Sequence, residues 1–220
     1  VSTPDRHLVY FGTETTIGTT STQDDMYIRW SDQEDINTYT PTATNTAGTQ
    51  RIADGTRIVG AIRGRDAIYV WTDNALFIMR FVGAPFTFSF QQVGTGCGLI
   101  GKNAAVEVDG SAYWMSDNGF FRYTGKLESL ACLVEDYVFD DLNTVPKQHI
   151  NAGLNNLFGE VTWFYPSSSA SSINRAVTYN YMDSTAERPV WTTSSLARTA
   201  WQDSAVFGKP HGTEYDADAT

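Results

Sequence analysis

Basic residues are scarce in this chain. Fifteen Lys and Arg stand against 25 Asp and Glu, a formal charge of −10 over 220 residues. That balance argues against a sequence-independent electrostatic grip on DNA, RNA or an anionic membrane, because an acidic surface repels a phosphate backbone. Long apolar runs are lacking too: no stretch of about 18 apolar residues occurs, so no transmembrane helix is expected. The start, Val1-Ser-Thr-Pro-Asp5, has neither the basic nor the apolar region of a secretion signal. It also lacks an initiator Met, the pattern expected of an internal fragment or a processed product.

Groups that carry chemistry are equally sparse. The three histidines, His7, His149 and His211, have no second His at ligand spacing and no nucleophile-elbow motif near a Ser, which argues against a zinc site or a catalytic triad. Cys97 and Cys132 lie in dissimilar surroundings, and both buried free thiols and a single bridge are open. The acidic clusters Asp24-Asp25, Asp140-Asp141 and Asp216-Ala-Asp218 lack calcium-loop spacing and read as solvated turns. Gly94-Thr-Gly-Cys-Gly98 lacks the Lys and the strand-then-helix context of a phosphate loop, so it reads as a flexible link. No catalytic residue, cofactor site or metal site is assigned, and the chain is expected not to be an enzyme.

What the sequence has in quantity is aromatic strand. Aromatics make up 13 % and all hydrophobics 41 %, enough for a sizeable core and suited to pleated, half-buried surfaces. Two hairpins match: Ala67-Ile-Tyr-Val-Trp-Thr-Asp-Asn-Ala-Leu-Phe-Ile-Met-Arg-Phe81 and Ser111-Ala-Tyr-Trp-Met-Ser-Asp-Asn-Gly-Phe-Phe-Arg-Tyr123. An offset of 44 residues pairs Asp73 with Asp117, Tyr69 with Tyr113, Asn74 with Asn118 and Phe77 with Phe121. Asn tolerates the left-handed backbone of a tight turn, which is why an Asp-Asn pair suits a hairpin. A period of roughly 40–50 residues with several short strands per unit is the signature of a β-propeller blade, an ordinary β-sandwich being the alternative.

The remaining runs fit that period. His7–Phe11 and Met26–Trp30 read as a long-tipped hairpin, followed by a polar surface loop over Thr42–Gln50. Ile58–Ile62 and Ala104–Val108 open the second and third units, and Phe86-Thr-Phe-Ser-Phe90 alternates as a half-exposed strand. Leu133–Leu142 carries the one helix expected, of one or two turns. Glu160–Tyr165 and Arg175–Tyr181 form a further hairpin around a Ser-rich tip, with Val190-Trp191 and Ala197–Trp201 completing that unit and Thr213-Glu-Tyr215 starting a strand without a partner. The expected fold is therefore one all-β, propeller-like domain over 1–220, incomplete in this chain, with approximate blades 1–55, 56–101, 102–145 and 146–220.

A glycosidase of the sialidase type would carry an Asp-box, but Ser116-Asp-Asn-Gly119 puts the Asp directly after the Ser, so the spacing fails. Sugar binding through Trp30, Trp163 and Trp191 competes with a place for these rings in the core. Several phrases together point elsewhere: Pro4-Asp-Arg-His-Leu8, Arg29-Trp-Ser-Asp-Gln-Glu-Asp-Ile-Asn37, Phe139-Asp-Asp-Leu-Asn143, Trp163-Phe-Tyr-Pro-Ser167, Tyr179-Asn-Tyr181 and Arg198-Thr-Ala-Trp201. In order and in combination they resemble the β-propeller tail proteins of tailed bacteriophages, and among these the tail nozzle or lower tail-tube component of short-tailed phages.

That resemblance implies a virion component: a homo-oligomeric ring, a hexamer, seated against portal, adaptor and other tail proteins, through which double-stranded DNA passes without specific binding. The acidic balance suits such a lumen, since each phosphate neutralised by Lys or Arg would add adhesion. Ring contacts are expected from polar loops such as Thr38–Gln50 and Ser167–Ser172. Arg6, Arg29, Asp32, Asp35 and Arg198, charged residues inside strand-like motifs, are expected to fix blade-to-blade or loop geometry through hydrogen-bonded ion pairs. The competing classes are a carbohydrate-binding or glycan-cleaving propeller for host recognition and a cellular scaffold that binds a peptide.

Overall fold

The computed structural model describes residues 1–203 and 208–214. Strand makes up 45 % and helix 6 %, so the fold is all-β. No helix among the described residues is long and apolar enough to cross a membrane. The chain divides into two compact units, Val1–Leu99 with Asp109–Ser111, and Ile100–Val108 with Ala112–Thr220.

In the first unit, β1 (Val9–Phe11), β2 (Tyr27–Trp30) and β3 (Gly48–Arg51) form an antiparallel three-stranded meander. The expected long-tipped hairpin is β1 with β2, Val9 facing Trp30. The polar stretch assigned to a surface loop ends earlier than expected, because Gly48–Gln50 pairs with β2 as an edge strand. Gly48 lies against the Trp30 indole, where a Cβ would overlap the ring, so only glycine fits that rung.

Next come β4 (Ile58–Arg63), β5 (Ile68–Thr72), β6 (Ala75–Gly83) and β7 (Thr87–Thr95), paired in sequence order as a four-stranded antiparallel meander. Asp73 and Asn74 are the two-residue turn between β5 and β6. Every residue of β5 is buried, so this central strand is covered on both faces rather than the half-buried surface expected. The alternation over 86–90 is also corrected: Phe86 is 76 % exposed and outside the strand, while Thr87 enters β7 buried at φ +59°. Gly94 and Thr95 are not a link but the last rungs of β7, opposite Leu76 and Ala75. The core of this unit joins Ile28 and Trp30 of the first sheet to Ile68, Val70, Phe77, Met79 and Phe88 of the second.

In the second unit β8 (Ala105–Val108), β9 (Ser111–Ser116), β10 (Gly119–Tyr123) and β11 (Leu127–Leu130) repeat the meander, with Asp117-Asn118 turning β9 into β10. Helix α1 (Glu135–Asp140) follows; it buries Val138, while Tyr137 faces solvent at 55 % exposure. A third four-stranded meander, β12 (Asn151–Asn155), β13 (Glu160–Tyr165), β14 (Arg175–Asn180) and β15 (Trp191–Ser194), has Trp163, Phe164 and Tyr165 fully buried.

The last unit was expected to include Ala197–Trp201, but its sheet closes with β15. Instead β16 (Ala200–Gln202) pairs with β17 (His211–Thr213), Trp201 facing Gly212, so Thr213 has the partner it was expected to lack. Tyr215 lies outside the described residues.

Successive sheets of this unit meet through their first strands. Asn103, just before β8, forms a parallel bridge with Asn151, and Ala152 N donates to its carbonyl at 2.8 Å. Trp163 Nε1 donates to Ala104 O at 3.0 Å. Trp201 of β16 lies on Gly153 of β12, where no side chain would fit, and donates to Leu154 O at 2.8 Å. Around Phe120, the rings of Trp191 at 4.8 Å, Trp163 at 4.9 Å and Phe139 at 5.6 Å form an aromatic core.

Candidate functional site

The charged residues of the strand-like motifs do hold loops, though mostly not as ion pairs. The Arg29 side chain is buried beside Tyr27 and donates from Nη2 to the carbonyls of Glu14 and Thr15, each at 3.0 Å. It pins the tip between β1 and β2. Asp32 accepts from Thr46 N at 2.8 Å, Thr46 Oγ1 at 2.6 Å and Gln33 N at 2.9 Å, and the Thr46 bonds hold its carboxyl below the usual range. Asp35 accepts from Thr38 Oγ1 at 2.7 Å and Asn37 N at 2.8 Å. Of these five, only Arg6, with Glu34, and Arg198, with Glu214, form ion pairs among the described residues. The Arg6 pair is exposed on both sides, a geometry that adds little stability.

The matched Asp-Asn turns act as hooks for the links that follow their own sheets. At the first, Cys97 N donates to Asn74 O at 3.0 Å, Leu99 N donates to Thr72 O at 3.1 Å, and Gly98 presses on the Asp73 backbone. The Asp73 carboxylate reaches back to Thr56, taking its N–H at 2.8 Å and its hydroxyl. At the second, Lys147, on the link after β11, places its ammonium 2.8 Å from both Asp117 oxygens.

Other candidates from the sequence are structural in their contacts. His7 is buried against Phe81 and Phe88, with Nε2 3.1 Å from Thr46 Oγ1; burial lowers its pKa, opposed by Asp5 and Asp32. Trp30 and Trp163 are core residues, and the half-buried Trp191 donates to Ala131 O at 2.8 Å. Cys97 and Cys132 are free thiols, both raised by burial, Cys132 to about 11. Asp24 is held low by Met26 N and by Arg51 at 2.6 Å, and Asp141 pairs with Arg175 at 3.5 Å. Asp140 lies at the end of α1, and Asp216 and Asp218 lie outside the described residues. Among the described residues no three His, Cys, Asp or Glu side chains gather as a metal site.

The feature with the shape of a site was not anticipated. A pocket of about 510 Å³ in the second unit is lined by Lys102 and Asn103, Gln148 and His149, Thr199, and the Ser171–Ile173 tip between β13 and β14. Apart from that tip, these segments stand immediately ahead of β8, β12 and β16, so the pocket forms where three first strands start side by side. The chain matches no protein-family model and no curated protein.

A smaller hollow of about 270 Å³ in the first unit lies over Arg29, between Tyr10 and Tyr39, whose rings meet edge-on at 5.5 Å. Of the larger pocket's lining segments only Lys102-Asn103 precedes a strand expected to open a unit, Ala104–Val108. Polar residues in links carry no periodicity of their own, so composition could not single them out.

Proposed function

We propose that the chain is a non-enzymatic structural subunit of a bacteriophage tail, a propeller-like component of the nozzle or tail tube. In this role copies of the chain form a ring against portal and adaptor proteins, retaining the genome and then letting it pass. The observation that carries the reading is the use made of the motif residues behind the family resemblance. Arg6, Arg29, Asp32, Asp35 and Arg198 all bind groups of their own chain, as expected of a protein whose motifs maintain shape.

The blade-like character draws support from the three sequential four-stranded meanders and from the order of first-strand contacts, β8 to β12 to β16. Radial repetition around an axis places first strands next to one another in parallel, which is the sense of the Asn103–Asn151 bridge. A formal charge of −10 suits a lumen along which DNA slides.

The test is the solution mass of the purified protein together with negative-stain images, with and without portal and adaptor rings. A ring that docks on those assemblies is the expected result. A monomer that ignores them refutes the tail role.

A further inference from the structure

The pocket ahead of β8, β12 and β16 has a chemistry that a shape-keeping role does not use. Its walls are fixed by hydrogen bonds to backbone carbonyls. Asn103 O accepts from Ala152 N at 2.8 Å, His149 N donates to Pro146 O at 2.9 Å, and Asn151 Nδ2 donates to Arg198 O at 3.0 Å beside Thr199. Gly101 leaves no room for a side chain against the Lys147 carbonyl, so the Lys102 segment is held closely on the Gln148 segment.

The lining is donor-rich and contains no carboxylate, on a chain with a ten-charge acidic excess. Lys147, Arg175 and Arg198 nearby are each paired with an acidic side chain, whereas Lys102 has no ion pair among the described residues. Around that cation stand two side-chain amides, three hydroxyls and an imidazole, with Ile173 as an apolar wall.

We propose that this pocket binds an acidic sugar, its carboxylate at Lys102 and its hydroxyls on Asn103, Gln148 and the serines of the β13–β14 tip. An amide both donates and accepts, as does a sugar hydroxyl, so the pair can be satisfied in either sense. A charge-assisted bond from Lys102 selects a carboxylate-bearing ring over its neutral counterpart. The volume falls within the range of small-ligand sites, about 300–1,000 Å³, and admits a mono- or disaccharide. A bare inorganic anion would engage Lys102 and leave the amides idle. The assignment is independent of the tail role, because it rests on this pocket alone.

Calorimetric titration of the full chain with glucuronic acid, glucose, inorganic phosphate and a glucuronate-containing oligosaccharide tests it. Glucuronic acid should bind at least about tenfold more tightly than glucose or phosphate, weakening as salt rises. Lys102→Met should abolish that preference, and Gln148→Ala should weaken both sugars alike. Lys102 and Gln148 are exposed, and unchanged melting of each variant shows that it folds. Tighter binding of the oligosaccharide identifies a polymer as the natural source, and equal binding identifies the free sugar. No binding by either acidic ligand, equal affinity for glucose or phosphate, or binding indifferent to Lys102→Met overturns the proposal. Ring formation in any of these cases leaves the structural role standing.

Discussion

Replacing Trp163 by Phe isolates what one hydrogen bond and one ring contribute to the joint between two sheets. Trp163 is fully buried and its indole N–H reaches Ala104 O, a carbonyl that also accepts from Met115 N at 3.1 Å. Because Met115 remains, the carbonyl is not orphaned, and the lost bond costs about 1 kcal/mol. Shrinking the ring leaves a void of roughly 40 Å³, which at about 24 cal/mol per Å³ adds about 1 kcal/mol. The weakened contact with Phe120, now 4.9 Å between ring centroids, brings the total to about 2–3 kcal/mol.

Urea denaturation monitored by far-UV circular dichroism measures this, and a melt should fall by about 4–12 °C. Trp191→Phe is the control, since that indole is half-buried and donates to the exposed Ala131, where water can replace it. Its cost should be smaller, about 1 kcal/mol, and come from the reduced ring contacts with Phe120 and Tyr179 rather than from the hydrogen bond. If the two variants are equally destabilised, the joint at Ala104 does not carry the load argued for it.

Three further outcomes are expected. His7 is held neutral by burial, with its pKa below the ordinary 6.5, so stability present above that pH is lost as pH falls toward the folded value; a His7→Leu variant should lose less between neutral and mildly acidic pH than the parent, as read by urea midpoints. Gly98→Ala forces a Cβ into the Asp73 backbone and should cost about 1–3 kcal/mol in the same assay, against near-neutrality for a surface substitution. The Cys132 thiol, raised to about 11, should react with iodoacetamide at mildly alkaline pH on the order of a hundredfold slower than in urea, a ratio that mass spectrometry reads directly.

The sequence was legible where local chemistry and tertiary demand coincide. The Asp73-Asn74 and Asp117-Asn118 turns, the aromatic strands on either side, and the short helix at Glu135–Asp140 were all readable from spacing and residue type. Polar edge strands were not: β3 carries Gly, Thr, Gln and Arg, and only its partner Trp30 makes it a strand. The β16–β17 pair was hidden for a similar reason, its residues being mostly exposed and its pairing set by Trp201 seated on Gly153. Arg29 was expected to find an acid and instead caps carbonyls, a choice made by loop shape rather than charge. The pocket lay beyond sequence reasoning because Lys102, His149 and Thr199 converge only once three strands start together.

The links that run over the Asp-Asn turns also set how the molecule bears force. A pull on the chain beyond β7 first loads the bonds of Cys97 and Leu99 to the β5–β6 turn, and a pull beyond β11 reaches β12 through the Lys147–Asp117 clasp. The outermost strand of each sheet is thereby shielded from being peeled rung by rung. Tension is delivered instead to the middle of the sheet, where many ladder bonds must shear at once. A chain built this way yields late and abruptly when pulled, rather than gradually from its edges.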